Sequence, residues 1–248
     1  MESRYILGVR VDATSYRRAT DQILDWAAQN LSRLVCCASV NNIMAARDSS
    51  EFNEVMASAD LVTSDGMPLV WLLRGLGIPD AERVYGPDLM PSVLEAAAKS
   101  GVPVGLYGGS AEVLARLVER LTARFPLLNI AYQESPPFRV PTYQEDERTT
   151  QAIADAGVRI LFVGLSTPKQ ERWMYSHRGR VDAVMLGVGA AFDFLAGAKP
   201  QAPRWMQRRG LEWLFRLATE PRRLWKRYLG QNPRFAVLAL AQVFRERS

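Results

Sequence analysis

The sequence contains few histidine and cysteine residues, the usual ligands of zinc. Its 248 residues include one histidine and two cysteines, and no group of His, Cys and Asp has metal-ligand spacing. It also lacks the Asp-x-Asp pair with which many nucleotide-sugar enzymes hold a divalent ion. We therefore expect neither a bound metal nor another cofactor.

The scarce cysteines and the single histidine have ordinary explanations. Cys36 and Cys37 are adjacent in the apolar run RLVCCASV. Neighbouring side chains in a strand point to opposite faces, so this pair is poorly placed for a disulfide and indicates core residues in a reducing compartment. His177 follows a helix-like segment, where we expect a C-terminal capping group or a surface group.

Long apolar segments are also missing. No window approaches the ~18 apolar residues that a membrane-spanning helix needs. The opening MESRYILGVRVD has no long apolar region of the kind that secretory signals carry. These absences predict a cytoplasmic protein that is not integral to a membrane.

Strand-like and helix-like segments alternate up to about residue 195. Several strand-like runs, such as VRILFVGL, are apolar throughout, as expected when helices cover both faces of a parallel sheet. The pattern predicts a Rossmann-like α/β fold with a mostly parallel sheet and helices on both faces. We assign residues 1–198 to this core and residues 199–248 to a helical appendage.

Small or polar residues follow five of the predicted strands. These segments are SVNN (39–42), TSDG (63–66), YGGS (107–110), GLSTPKQE (164–171) and GVGAAFD (187–193). Because ligands of open α/β sheets bind beyond the carboxyl ends of the strands, we expect all five segments to face one crevice.

The appendage is strongly basic. From residue 201 onward there are eleven basic and three acidic residues, a net charge of +8, which leaves −3 for the first 200 residues. Two or three short helices are predicted, with Thr219 or Asn232 as caps and Pro221 or Pro233 in first turns. The charge indicates an anionic partner. No nucleic-acid-binding motif is present, so we expect no nucleic acid partner.

Two of the strand-end segments offer phosphate or sugar contacts. Gly108 and Gly109 would let the backbone approach a ligand while Ser110 caps a phosphate-binding helix; the alternative is an ordinary turn with a helix cap. Lys169 could pair with a phosphate and Gln170 with a sugar hydroxyl; the alternative is a solvated helix start. The glycines of GVGAA follow the last strand, not the first, which argues against NAD.

Asp65 lies at the end of a predicted strand beside a glycine. A carboxylate in a ligand crevice can act as a general base toward a hydroxyl nucleophile. The alternative is a turn aspartate that caps the helix beginning near Met67.

Seven ordered motifs resemble the WecG/TagA/CpsF glycosyltransferases over residues 6 to 232. They are SVNNIM, SDGMPLVW, ERVYGPDLM, LYGGS, VGLSTPKQE, GVGAAFDFLAG and APRWMQRRGLEWLFRLATEPRRLWKRY. The resemblance implies a metal-independent, inverting enzyme of exopolysaccharide or cell-envelope polysaccharide assembly. Such an enzyme moves glucose, N-acetylmannosamine or N-acetylmannosaminuronic acid from a UDP-sugar to a polyprenyl-diphosphate-linked saccharide, at the inner face of the plasma membrane. Homo-oligomers also occur in the family.

The resemblance also implies roles for individual residues. Asp65 matches the proposed base, and Ser39 and Asn41 match a Thr-x-Asn sugar-binding pair in which serine replaces threonine. Arg83, Gln170 and Asp193 match further substrate-binding positions. In the appendage, Arg216 and Arg223 match arginines that complete the catalytic site. The expected contacts with an anionic membrane surface or with the acceptor are those of Arg222, Trp225, Lys226 and Arg227.

Other readings of the same residues remain open. A protein with this fold could be a non-catalytic, membrane-associated scaffold of a polysaccharide assembly complex, or a nucleotide-sugar epimerase or oxidoreductase. The last helix could lie in the membrane interface or pack on the core with its arginines in water. Ser39 does not decide which donor sugar is used.

Overall fold

The computed structural model describes residues 1–247, except for the side chains of Arg227 and Arg247. The strands are β1 (Ser3–Ile6), β2 (Val9–Asp12), β3 (Arg33–Ala38), β4 (Leu61–Ser64), β5 (Val104–Gly108), β6 (Ile130–Glu134), β7 (Ile160–Gly164) and β8 (Val184–Gly187). The helices are α1 (Tyr16–Ala28), α2 (Val40–Asp48), α3 (Ser50–Ala57), α4 (Met67–Gly75), α5 (Gly86–Ser100), α6 (Ala111–Arg124), α7 (Tyr143–Asp155), α8 (Lys169–Ser176), α9 (Ala191–Leu195), α10 (Arg204–Arg208), α11 (Glu212–Thr219) and α12 (Pro221–Arg247).

The strands form one sheet in the order β1-β2-β4-β3-β8-β7-β5-β6. All neighbouring pairs are parallel except β1 and β2. Apolar clusters cover both faces: α2, α3, α4, α8 and α12 contribute to one, and α1, α5, α6 and α9 to the other. The predicted α/β fold is therefore confirmed, because the apolar strands are buried between two layers of helices.

The first predicted strand is wrong in one respect. The run YILGVRV, interpreted as one strand, forms the hairpin β1–β2 around Leu7 and Gly8. Both residues have positive φ, 48° and 94°, which suits a two-residue hairpin turn. Leucine rarely adopts this conformation, so the sequence carried only the glycine as a turn signal. The hairpin gives the sheet an antiparallel edge.

The two cysteines and the histidine are buried in the core. Cys36 and Cys37 are free thiols in the core, as predicted. His177 is the C-cap residue of α8, but it is only 1% exposed, so the surface alternative is wrong. Its ring stacks on Trp173, and its Nε2 lies 3.0 Å from Asp146. Burial lowers the pKa of His177, against the opposing effect of Asp146.

The described part of the appendage contains three helices, and the last one is longer than predicted. Residues 221–247 form one continuous helix with Pro233 inside it, so Asn232 and Pro233 do not begin a new helix. Leu224, Phe235 and Ala239 of α12 are buried. Packing against the core offsets the backbone hydrogen bond that the proline removes. No helix among the described residues combines the length and apolarity needed to cross a membrane.

A polar side chain of α12 also forms hydrogen bonds with the backbone of the β1–β2 hairpin. Gln242 donates to the carbonyl of Tyr5 at 2.6 Å and accepts from the amide of Leu7 at 2.9 Å. Its side chain is buried, so both bonds are partly shielded from water. The two ends of the described chain therefore support each other, and the assignment of residues 1–198 and 199–248 to separate units remains a prediction.

Gly108 provides a test of close packing at a strand end. Its φ is 132°, and an added Cβ would lie 2.6 Å from the carbonyl carbon of Gly164. We expect Gly108→Ala to lower the free energy of unfolding by at least about 2 kcal/mol in urea titrations followed by circular dichroism. Gly101→Ala is the control, since Gly101 has φ 66° with open space around it; its cost should be about 1 kcal/mol. Equal losses would contradict the packing argument.

Candidate active site

A cavity of about 780 Å³ lies beyond the carboxyl ends of β4, β3, β8 and β7. This volume is in the usual range for ligand sites, roughly 300–1,000 Å³. The core supplies one wall, and residues of α10, α11 and α12 supply the other. The cavity therefore lies where ligands of open α/β sheets bind, and the appendage closes it.

Four of the five predicted strand-end segments contribute to the cavity lining. The exception is YGGS, residues 107–110, after β5. Gly108 packs against the backbone of Gly164, and Ser110 accepts from the amide of Val113 at 3.2 Å as the N-cap of α6. The ordinary turn with a helix cap is thus the arrangement observed, and Gly108, Gly109 and Ser110 lie apart from the cavity lining.

Asp65 lines the cavity at the end of β4 and is half-buried. Its Oδ2 accepts from the amide of Gly86, the first residue of α5, at 2.9 Å. The N-cap of α4 is Gly66, so the expected alternative, in which Asp65 caps the helix at Met67, is not observed. The carboxylate instead joins the strand end to a different helix.

The environment of Asp65 favours its protonated form. Burial raises the pKa of the Asp65 carboxyl to about 7, although the charge of Arg83 and the bond from Gly86 oppose the shift. A carboxyl with a pKa near neutrality is half-ionised at physiological pH and can take up a proton. Asp65 is therefore a carboxyl group in the cavity lining that can exchange a proton near neutral pH.

Arg83 connects the core to the appendage. Its Nη2 forms an ion pair with Glu212 of α11 at 2.6 Å, and its Nε donates to the backbone carbonyl of Asp65. Both charged side chains are 14% exposed. Tyr85 donates to the other oxygen of Glu212 at 2.7 Å, and its ring lies under the Arg83 guanidinium. Glu212 had no predicted role; the only signal was an acidic residue within an arginine-rich segment.

Two predicted arginines of the appendage also line the cavity. Arg216 lies 5.8 Å from the ring of Phe194, and its buried Nε has no hydrogen-bond partner among the described residues. Arg223 pairs with Glu220 at 2.6 Å and is half exposed. A buried guanidinium with an unused donor is suited to binding an anion.

A buried hydrogen-bond network supports the end of β3. Ser39 donates from its hydroxyl to Oδ1 of Asn42 at 2.8 Å, and the amide nitrogen of Asn42 donates to Glu171 at 2.9 Å. The same oxygen of Glu171 accepts from Thr167 and Gln170. The network holds together two segments of the cavity wall. The predicted sugar-binding pair, Ser39 and Asn41, lines the cavity beside it.

Glu171 corrects one expectation for the PKQE segment. The alternative of a solvated helix start is wrong at this position, since Glu171 is completely buried and burial raises its pKa. Gln170 is also buried; it lines the cavity and accepts from the amide of Gly189 at 3.0 Å. Lys169 is exposed and absent from the cavity lining. The segment therefore supplies structural support from Glu171 and one lining side chain, Gln170.

The remaining predicted residues divide between the cavity and the surface. Asp193 lines the cavity and pairs with Lys199 at 3.3 Å. Arg222, Trp225 and Lys226 are exposed on α12 and absent from the lining. The side chain of Arg227 lies outside the described set.

The sequence is similar to known proteins over most of its length. A family model described as glycosyl transferase WecG/TagA/CpsF family matches residues 4–248. A protein of Bacillus spizizenii named N-acetylglucosaminyldiphosphoundecaprenol N-acetyl-beta-D-mannosaminyltransferase is 32% identical over 204 residues. The match covers 81% of this chain and 76% of that protein.

The Glu171 network can be tested through stability. In Glu171→Ala, the side chains of Asn42, Thr167 and Gln170 lose a shared acceptor, so the free energy of unfolding should fall by at least about 2 kcal/mol. Glu171→Gln keeps a carbonyl oxygen of the same shape and should lose markedly less. Urea titration of the two variants is the measurement, and equal stability of Glu171→Ala and the parent protein would refute the supporting role.

Proposed function

This chain belongs to the WecG/TagA/CpsF family of glycosyltransferases, and on that basis we propose that it transfers a hexose from a UDP-sugar to a polyprenyl-diphosphate-linked saccharide. We propose an inverting, metal-independent reaction at the inner face of the plasma membrane, in the assembly of an exopolysaccharide or cell-envelope polysaccharide. The name of the Bacillus spizizenii relative specifies an N-acetylmannosaminyl group and a diphosphoundecaprenol acceptor. It supports N-acetylmannosamine as the first donor sugar to test.

In the proposed mechanism, Asp65 accepts the proton of the acceptor hydroxyl. The hydroxyl oxygen attacks the anomeric carbon as the bond from that carbon to UDP breaks. One displacement inverts the anomeric configuration, so one carboxylate suffices and no covalent enzyme intermediate forms. The observation that carries this proposal is the position of Asp65 in the cavity, with a pKa raised to about 7 and no ion pair among the described residues.

The departing diphosphate gains negative charge in the transition state. Arg83, Arg216 and Arg223 all line the cavity and would stabilise that charge electrostatically. Arg216 is the best placed of the three, because its Nε lacks a partner among the described side chains and the other two already pair with carboxylates. We therefore propose that Arg216 makes the main contact with the leaving group.

The other lining residues would bind the donor. We propose that Ser39 and Asn41 contact the sugar, that Gln170 shapes the same wall and that Asp193 contacts the nucleotide. The positions of Gly108, Gly109, Ser110 and Lys169 give no support to phosphate contacts, so we leave them out of the mechanism.

Membrane docking would use exposed apolar and basic side chains of α12. Trp225, Leu229 and Val237 are between 49% and 68% exposed, and Arg222 and Lys226 lie near the first of them. Aromatic and apolar side chains flanked by cations suit the headgroup region of an anionic bilayer. The buried side of the same helix packs on the core, so the two alternatives for α12 are compatible.

A transfer assay tests the catalytic role of Asp65. UDP-hexoses are offered with a lipid-diphosphate-linked N-acetylglucosamine acceptor in the presence of EDTA, and the lipid product is identified by mass. Asp65→Asn should lower kcat by at least about a hundredfold, because the amide cannot accept the hydroxyl proton. Near-normal turnover in this variant would remove Asp65 from the role, and dependence on added metal would refute the metal-independent reaction.

The pH dependence gives an independent readout for the same variant. The parent's kcat/KM should rise with pH to a plateau, half-complete near pH 7, as Asp65 loses its proton. The kcat/KM of Asp65→Asn should not show this rise with pH.

The same pKa shift predicts how stability depends on pH. A raised carboxyl pKa means that the folded state holds a proton that the unfolded state has lost, so stability falls as pH rises toward 7. Asp65→Asn should therefore be at least as heat-stable as the parent at pH 8.

Vesicle sedimentation tests docking. Deleting all residues after Lys199 would also remove Leu224 and Phe235 from the core, so point substitutions give a clearer result. Trp225→Ser with Leu229→Ser should weaken partitioning onto anionic vesicles at least about tenfold, since two apolar side chains no longer enter the interface. Leu127→Ser is the control, because Leu127 is 80% exposed and lies outside the appendage. Equal partitioning of both variants would contradict docking through α12.

A further inference from the structure

The cavity has two chemically different parts. Around Asp65 its lining carries charged and amide side chains from both the core and the appendage. The second part lies between α4 and α12 and is named here the α4–α12 groove. Its lining residues are Met67, Trp71, Leu72, Gly75, Phe235, Ala236, Ala239, Leu240 and Val243.

Among the side chains that the structure describes, none that lines the groove is charged. Along α12 the lining changes from Tyr228, Gln231 and Asn232 to apolar residues from Phe235 onward. The charged residues nearest in sequence are held elsewhere: Arg74 donates to the carbonyl of Ala81, and Arg234 pairs with Asp48. An apolar groove joined to a polar site suits a ligand with a charged head and a hydrocarbon tail.

The groove runs away from the candidate base. Helix α4 begins two residues after Asp65, and its nine residues extend about 13 Å at 1.5 Å per residue. At the far end α4 and α12 come close, since a Cβ on Gly75 would lie 3.8 Å from Val243. Trp71 and Leu240 are 50% and 60% exposed, so the side of the groove is accessible from the surface.

We propose that the α4–α12 groove binds the first isoprene units of the acceptor's polyprenyl chain. This inference rests on the proposed function, in which the acceptor places its hydroxyl beside Asp65. The hydrocarbon attached to the acceptor's diphosphate must then leave the polar part of the cavity, and among the described residues the groove offers an apolar surface that adjoins it. Burial of the chain along α4 and α12 supplies affinity while the head group is held for reaction.

Other exposed apolar side chains of α12 do not line the cavity. Trp225, Leu229 and Val237 lie outside the cavity lining, so they can meet a bilayer without lining a path to Asp65. Ala236 and Val237 are neighbours in sequence and both are exposed, yet only Ala236 lines the groove. This difference supplies a matched pair of variants.

Calorimetry with isoprenoid diphosphates tests the groove without requiring turnover. Farnesyl diphosphate carries three isoprene units and dimethylallyl diphosphate carries one, with the same charged head. The full chain should bind the farnesyl compound at least about tenfold more tightly, because only the longer chain reaches along the groove. Equal affinities would overturn the proposal.

Substitution by tryptophan then locates the hydrocarbon. Ala236→Trp fills the groove and should weaken farnesyl diphosphate binding at least about tenfold while leaving dimethylallyl diphosphate within about twofold. Val237→Trp should change neither affinity by more than about twofold. Equal effects of the two variants would overturn the proposal, as would equal losses for the two diphosphates in Ala236→Trp.

Two further measurements test whether the groove binds something other than a polyprenyl chain. They also distinguish failure of this proposal from failure of the proposed function. If Ala236→Trp weakened vesicle partitioning or changed the oligomeric mass without altering farnesyl diphosphate binding, bulk lipid or a second copy would occupy the groove and the proposal would fail. In the transfer assay, Ala236→Trp should raise KM for a farnesyl-linked acceptor and leave KM for the UDP-sugar unchanged. Absence of transfer by the parent protein from any UDP-hexose would contradict the proposed function, whereas the binding comparison would still decide the groove.

Discussion

The ion pair between Arg83 and Glu212 is the interaction on which the candidate site depends. It joins the core to the appendage across the cavity, with both side chains largely shielded from water. Such a pair adds little net stability, because desolvation offsets most of its Coulomb attraction. Its effect is on geometry, because an arginine and a carboxylate this close hold α11 in one position over the strand ends. Tyr85 reinforces that position by donating to the same carboxylate.

The same ion pair affects the protonation of Asp65, whose pKa is raised mainly by burial. If the Arg83 guanidinium paired with the Asp65 carboxylate, it would hold the pKa of that carboxyl low and make it a weak base. Arg83 instead directs Nη2 to Glu212 and Nε to the backbone carbonyl of Asp65. Burial then dominates and raises the pKa of Asp65 to about 7. The appendage thus contributes to the proposed chemistry twice, by supplying Arg216 and by engaging Arg83.

The alternation of segments and the residues at strand ends predicted much of this arrangement. Apolar strands require helices on both faces, and parallel strands bring their carboxyl ends to one edge, so Ser39, Asp65 and Gln170 could be assigned to one cavity before any coordinates. Short-range patterns were less informative. YGGS and PKQE each allowed a ligand contact or a helix start, and local sequence does not encode whether a turn faces a cavity or a neighbouring strand. The burial of Glu171 has the same origin, because its partner Asn42 is 129 residues away.

The sequence alone determined the α/β architecture, the family, the basic appendage and the residue types available at the cavity, because these follow from composition, periodicity and ordered motifs. Only the tertiary structure decided which strand ends line the cavity, that α12 continues through Pro233, and that Glu212 engages Arg83. It also decided that two helices separated by about 150 residues form an apolar groove beside a charged site. These features are contacts between distant segments, and the free energy that selects them comes from packing of the whole chain, which local pattern does not record.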